Sequence, residues 1–406
     1  MAETMELRDI EVWDGNMAAS HALRQAQVDV VAAYPITPST PIVENYGSFM
    51  ANGYIDGEYV MAESEHGAMS CCIGAAAAGG RVATATSSQG FALMVETLYS
   101  ASGMRLPILL NVVNRAIGAP LNVNGDHSDM YMGRDSGWIQ IDCYNPQDVY
   151  DMNLVAFRVA EDHDVRLPAM VHQDGFMTSH TVQRVKTLSD DIAYNFVGEF
   201  NPMNDMLDLD NPVTHGVQTE EDWHYEHKAR QHHALMSNVL PKIQEAFDEL
   251  ESLTGRKYNI VEGYNMNDAE VAIVCMGTSV ETAYEVTKEL REQGIKAGVV
   301  GIRIFRPFPL EQISALLKEC KAIGILDRSS PNGTVGALYN EITGALFNSD
   351  TNAVVNNYIY GLGGRDLTKT SIHSIYRQLH ENAQAGHLTT PLQQFIGLRG
   401  PKLSFF

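Results

Sequence analysis

At 406 residues and 45% hydrophobic content, the chain is long enough for two cores, since a single core stops growing at about 250 to 300 residues. A formal net charge of -22 argues against nucleic acid as a ligand, because backbone binding draws on clustered Lys and Arg. No apolar run approaches the roughly 20 residues of a membrane span, the N-terminus lacks a signal-peptide pattern, and Cys71, Cys72, Cys143, Cys275 and Cys320 form no CxxC pair, so a soluble cytoplasmic protein with reduced thiols is expected.

In chain order, the first half alternates β-branched runs with helical patterns. Val28 to Ala33, Tyr59 to Met61, Val82 to Thr86, Ile108 to Val113 and Ala169 to His172 are predicted strands of the near-continuous apolar kind found in buried parallel sheets. Between them, Thr40 reads as a helix cap with Pro41 at the first helical position, the Ala-rich run from Gly67 stops at Gly79-Gly80, and Asn145-Pro146 opens another helix. Cys71-Cys72 reads as core on that small-residue helix rather than as a redox pair. The alternation predicts an α/β fold. From about Phe196 to Trp223 the chain turns irregular and acidic, as a connector would. Leu235, Val239, Ile243, Phe247, Leu250 and Leu253 then recur at three- and four-residue spacing until Gly255, predicting a helix. Beyond Tyr258, Val271 to Cys275, Val299 to Ile304 and Ala322 to Leu326 are predicted strands, and Thr278 with Glu281 suits a capping box on a helix running to Gly294.

Three segments put a hydroxyl, a carboxylate and a guanidinium in strand-to-helix turns: Tyr34-Pro35-Ile36-Thr37-Pro38-Ser39-Thr40, Ser64-Glu65-His66-Gly67 and Asn114-Arg115. The carboxyl ends of strands are where open α/β sheets bind ligands. Arg115 can grip a carboxylate bidentately, which a planar guanidinium does better than an ammonium; alone, it reads equally as half of a surface ion pair. Thr37 is aimed by its flanking prolines; alone, it reads equally as a turn threonine bonded to its own backbone. Glu65, taken alone, is favoured at a helix N-terminus by the dipole, and alternation points Glu63 the other way. Ser88-Gln89-Gly90 before Phe91 reads as a tight turn. Asp126, His127 and Ser128 are adjacent and cannot easily adopt a hydrolase triad's geometry, so His127 and Asp129 are expected to order their loop or to face a partner subunit. His232-His233 diverge by about 100 degrees on a helix, and neither HExxH nor a Cys cluster occurs, so no metal site is expected by pattern. Gly361-Leu362-Gly363-Gly364 lacks the GxGxxG context of a nucleotide fold.

These motifs, with Ala119-Pro120-Leu121-Asn122, Gly125-Asp126-His127-Ser128-Asp129, and Asp174-Gly175-Phe176 with Ser179-His180, resemble the 2-oxoacid:ferredoxin oxidoreductase family of thiamine diphosphate enzymes, and within it the alpha subunits of the pyruvate-using members. The resemblance runs over nearly the whole chain. The strand-MGTS-helix-strand order that ends in Arg306-Pro307-Phe308-Pro309 resembles the transketolase C-terminal domain. Together they imply a thiamine-pyrimidine-binding domain with a parallel sheet over residues 1–225, a helical connector at 226–257 and a transketolase C-terminal-like α/β domain at 258–406.

The resemblance also implies roles. Thiamine chemistry needs one carboxylate at N1′ of the aminopyrimidine, and Glu65 is implied as that group. Arg115 is implied to hold the substrate carboxylate, Thr37 to contact the substrate's polar end, and Ser88 and Gln89 to lie against the cofactor. The family holds the Mg²⁺ of thiamine diphosphate with a GDG motif that is absent here, and the cysteine pattern does not suit an iron-sulfur cluster. Thiamine diphosphate is therefore expected to be shared with a beta subunit, and Mg²⁺ and [4Fe-4S] clusters to sit on partner subunits, with gamma and delta subunits relaying electrons to ferredoxin. The implied reaction converts pyruvate, coenzyme A and oxidised ferredoxin into acetyl-coenzyme A, carbon dioxide and reduced ferredoxin, reversibly. Two alternatives stay open: the same chemistry on oxalate, 2-oxoglutarate or a branched-chain oxoacid, and a non-catalytic docking subunit.

Overall fold

The computed structural model describes residues 5–118 and 120–399, so Ala119 lies outside them. The chain opens with β1 (Ile10–Trp13), α1 (Gly15–Gln25), β2 (Val30–Ala33), α2 (Thr40–Ala51), β3 (Glu58–Met61), α3 (Glu65–Ala77), β4 (Val82–Thr86), α4 (Ser88–Gly103) and β5 (Leu109–Asn114). There follow β6 (Ile139–Cys143), α5 (Pro146–Glu161), β7 (Ala169–Asp174), β8 (Gln183–Lys186), α6 (Asp190–Val197), α7 (Glu221–His233) and α8 (Val239–Thr254). The remainder is β9 (Val261–Tyr264), β10 (Val271–Cys275), α9 (Ser279–Glu292), β11 (Ala297–Ile302), β12 (Ile304–Arg306), α10 (Leu310–Leu317), β13 (Ala322–Asp327), α11 (Ala337–Leu346), β14 (Val354–Ile359), α12 (Lys369–Ala385) and β15 (Gln393–Phe395).

The first sheet has the order β12-β6-β7-β5-β4-β2-β3. Its six strands from the first half of the chain run parallel. Strands β4, β5 and β7 are buried along their whole length, because helices cover both faces, and that burial explains their unbroken apolar sequences. All six strands end at the same edge of the sheet, so the turns after β2, β3, β4 and β5 gather there. The second sheet has the order β15-β14-β13-β10-β11-β9 and is parallel except for β9. Strands β1 and β8 form a separate antiparallel pair. Helix α8 buries Ile243, Phe247 and Leu250 and ends at Gly255, whose φ of 70° is the left-handed conformation that a helix stop requires. No helix among the described residues is long and apolar enough to cross a membrane.

Three local expectations are corrected. The helix cap at the second turn is Ser39, with Thr40 already helical. The capping box at Thr278 does not form: Thr278 donates through its backbone N–H and its hydroxyl to Asp174 at 2.9 and 2.6 Å, and Glu281 accepts from Asn145 at 2.7 Å. Asp174 at the end of β7 and Asn145 at the N-cap of α5 have taken both groups. The strand expected over Val299 to Ile304 breaks at Arg303, and β12 crosses over to pair antiparallel with β6. Arg303 is buried at the crossing, 2.6 Å from Asp148 and stacked 4.3 Å over the Tyr144 ring. A buried cation with an ion partner and an aromatic face replaces the apolar continuation that the run implied. Cys72 is a free thiol whose pKa burial pushes up to about 12, as a core cysteine should be.

Candidate active site

Strand β3 delivers Glu65. Ser64 caps α3 by accepting from the Gly67 N–H at 3.1 Å, which makes Glu65 the first residue of the helix. Its side chain is only 7% exposed, whereas Glu63 is exposed. The Glu65 carboxylate faces helix α4 across Gly90: a Cβ at position 90 would stand 2.5 Å from Glu65 Oε1 and 2.6 Å from the Thr86 hydroxyl oxygen. Only glycine lets α4 approach this closely. Among the described residues no hydrogen bond reaches the Glu65 carboxylate, and the buried hydroxyls of Thr86 and Ser87 have no partner. Buried polar groups are seldom left unpaired, so a polar ligand fits this corner.

The turn after β2 is closed by Ser39, whose N–H and hydroxyl both donate to the Ile36 carbonyl at 2.9 Å. Thr37 therefore does not serve the turn. It is exposed, its hydroxyl bonds no described residue, and its carbonyl accepts from Arg115 Nη1 at 2.9 Å. Arg115, at the end of β5, also donates from Nε to the Asn122 carbonyl at 3.3 Å. It is 6% exposed, and burial lowers its pKa against the opposing charge of Asp129. No carboxylate among the described residues pairs with its guanidinium, so the surface ion pair is not what this arginine makes. Arg115 and Thr37 are thus brought together, and Glu65 stands at the next turn of the same sheet edge.

Ser88 and Gln89 stand at the head of α4. The Ser88 side chain is fully buried and bonds the Ala116 carbonyl at 2.6 Å, with Gln89 on its other side. Its hydroxyl holds the Arg115 loop, while Gln89 is exposed.

Asp129 knots these turns together. Its carboxylate accepts from the Ser88 and Arg115 N–H groups at 2.9 Å and from Asn114 Nδ2 and the Met130 N–H at 2.8 Å. The Gly-Asp-His-Ser-Asp motif marks the loop but not which of its acids is the knot. Burial raises Asp129 from 3.8 to about 6, against the pull of those donors. Protonation would turn one acceptor oxygen into a donor facing N–H groups and loosen the Arg115 turn. The expected result is a kcat/KM that falls as pH drops through about 6, with the full value above it; a profile flat from pH 5 to 8 would contradict it. The effect on folding has the opposite sign. The folded pKa lies above the unfolded one, so Asp129 costs stability as pH rises from 3.8 towards 6.

His127 belongs to a second buried knot. Its Nε2 lies 2.7 Å from Asp174, which also pairs with Arg328 Nη1 at 2.7 Å, and the His127 N–H donates to the Arg328 carbonyl at 2.8 Å. This is the loop-ordering role, with Asp174 at the end of β7 and Arg328 just after β13 as partners.

With this geometry in view, residues 21–247 match the family described as pyruvate flavodoxin/ferredoxin oxidoreductase, thiamine diphosphate-binding. The chain belongs to that family. Residues 269–372 match the pyruvate:ferredoxin oxidoreductase core domain II. The chain is 46% identical to the pyruvate synthase subunit PorA of Thermotoga maritima over 385 residues, covering 95% of this chain and 97% of that one. It is 39% identical to the ketoisovalerate oxidoreductase subunit VorA of Pyrococcus abyssi, covering 95% and 97%. A solved 2-oxoglutarate:ferredoxin oxidoreductase from Magnetococcus marinus, with 2-oxoglutarate, coenzyme A and succinyl-CoA bound, superposes with a TM-score of 0.72 at 19% identity over 94% of this chain and 67% of that one. That likeness speaks to the fold of this family.

Proposed function

We propose that the chain is the alpha subunit of a thiamine diphosphate-dependent pyruvate:ferredoxin oxidoreductase, which decarboxylates pyruvate oxidatively with coenzyme A to acetyl-coenzyme A and carbon dioxide, reversibly. The observation that carries this reading is Arg115: a buried guanidinium with no carboxylate partner among the described residues, bonded to the Thr37 carbonyl beside a hydroxyl that serves no turn. An oxoacid carboxylate supplies the missing anion. Glu65, buried and unbonded one turn away, holds a proton at the pyrimidine N1′; Thr37 orients the substrate's polar end; and the unpartnered hydroxyls of Thr86 and Ser87 line the same corner. When bound, thiamine diphosphate supplies the electron sink.

Residues 1–225 form the pyrimidine-binding domain in this reading, residues 226–257 the connector and residues 258–406 the transketolase C-terminal-like domain. The exposed Val60 and Met61 on edge strand β3 and Leu93 and Tyr99 on α4 leave this end of the sheet open to a beta subunit that holds the diphosphate and Mg²⁺. Clusters on partner subunits pass electrons to ferredoxin in the cytoplasm.

The kinship with PorA chains, at 46% in one case, favours pyruvate. The similarity to VorA keeps a branched-chain oxoacid as the second reading. Ferredoxin reduction by the reconstituted complex, compared across pyruvate, 2-oxoglutarate, ketoisovalerate and oxalate, decides between them: the highest kcat/KM is expected on pyruvate, and another oxoacid in that place would overturn the assignment. Arg115→Lys keeps the charge but loses the fork, so KM for pyruvate is expected to rise about 10- to 100-fold. An unchanged KM would end the role of Arg115.

A further inference from the structure

The glycine turn Gly361-Leu362-Gly363-Gly364 follows β14 and has an unusual backbone. Gly361, Gly363 and Gly364 all have positive φ, at 65°, 59° and 82°. A Cβ on Gly363 would collide with Asn122 Nδ2, and one on Gly364 with the Cβ of Asn124. The turn is therefore shaped to receive the loop that follows Arg115. Gly363 bonds that loop in both directions: its carbonyl accepts from Asn122 Nδ2 and its N–H donates to Asp126 Oδ2, each at 3.0 Å.

Asn122 is also the residue whose carbonyl accepts from Arg115 Nε. Two hydrogen bonds thus connect the second sheet's turn to the guanidinium, and Arg115 Nη1 completes the line at Thr37. Around these bonds lies an open cleft of about 990 Å³ lined by Asn122, Asn124, Asp126, Ser330, Leu362 and Gly363. The bonds from Gly363 act as struts across it, so without them the loop from Asn122 to Asp126 faces solvent on that side.

We infer that Gly363 and Asn122 are positioning residues for the oxoacid-binding arginine, so that the second domain sets affinity for the substrate carboxylate through this strut. This rests on the reading of Arg115 above. A misplacement of about 1 Å in a guanidinium clamp is enough to weaken a bidentate contact many-fold.

The test uses the assembled enzyme with Asn122→Ala, Gly363→Ala and the double variant, and Arg115→Lys as reference. Asn122→Ala and Gly363→Ala are each expected to raise KM for pyruvate about 5- to 20-fold, while kcat changes less than about 2-fold and KM for coenzyme A stays constant. Because both act through one contact, the double variant is expected to match the worse single variant instead of multiplying the two effects. Asn122→Ala removes the Asn122–Gly363 bond without a clash and leaves the Gly363–Asp126 bond in place, so it decides the matter even where Gly363→Ala folds poorly. An unchanged pyruvate KM in Asn122→Ala, multiplicative effects in the double variant, or parallel losses for pyruvate and coenzyme A would each overturn the inference. If Arg115→Lys itself leaves KM unchanged, the reading of Arg115 has failed; if Arg115→Lys raises KM and Asn122→Ala does not, only the strut has failed.

Discussion

Replacing Glu65 with glutamine is expected to lower turnover of the assembled enzyme by a factor of about 10² to 10⁴, the range in which a positioned proton-transfer group contributes, while the subunit folds and assembles as before. The structure gives both halves of that expectation. The side chain is buried at the head of α3 and fills the space over Gly90, so an isosteric amide keeps the packing. Its carboxylate bonds no described residue, so no internal hydrogen bond is lost. Only the favourable interaction with the helix dipole goes, worth about 0.3 to 1 kcal/mol. A buried acid that no described residue bonds is what a ligand-facing acid looks like. Turnover, thermal unfolding and equilibrium binding of thiamine diphosphate to the chain with its partner would be measured on wild type and Glu65→Gln. Retained activity in the Gln variant would remove Glu65 from the chemistry.

Asp174→Ala is expected to cost about 3 to 5 kcal/mol of stability, because it strips the partner from two buried groups at once. Arg328 and His127 both close on this carboxylate at 2.7 Å, and Thr278 adds its N–H and hydroxyl. Burial alone would raise the Asp174 pKa, but the Arg328 and His127 charges outweigh it and hold the carboxyl well below the usual range. The contribution of Asp174 is therefore present above 3.8 and lost as pH falls below that value. Burial pulls the His127 pKa down, and the Asp174 charge more than reverses this. Its contribution is complete below 6.5 and lost as pH rises through the raised value. Chemical denaturation followed across pH would show both limbs in the wild type; a variant as stable as wild type at pH 7 would mean that Arg328 finds another anion.

The site motifs were legible because each works within a single turn. Ser64 capping the helix that presents Glu65, and Arg115 following directly on an apolar strand, depend on neighbours only a few residues away, so spacing alone placed them at ligand-binding ends of strands. The same holds for α8, whose apolar stripe and final Gly255 describe a helix before any packing is known. Ser88 shows the limit of this logic. The tight turn expected over Ser88-Gln89-Gly90 is the first turn of helix α4, and the direction of the Ser88 hydroxyl depends on Ala116, 28 residues on. Thr278 fails likewise: a sound local cap was outcompeted by Asp174, 104 residues away.

By itself, then, the sequence determined the α/β alternation, the buried strands β4, β5 and β7, and the position of Glu65, Arg115 and Thr37 in strand-to-helix turns, since periodicity and turn chemistry act over a few residues. Tyr59 to Met61, expected to be buried, forms the exposed edge strand β3, and the roles of the three residues came only from the resemblance. Tertiary structure alone decided that β12 leaves one sheet for the other, that Asp129 ties the turns after β4 and β5 together, and that Gly363 reaches Asp126 across 237 residues of chain. Those choices were made by burial. A polar group removed from water takes whichever partner the packed core brings within reach, and no pattern of neighbours along the chain encodes which one that will be.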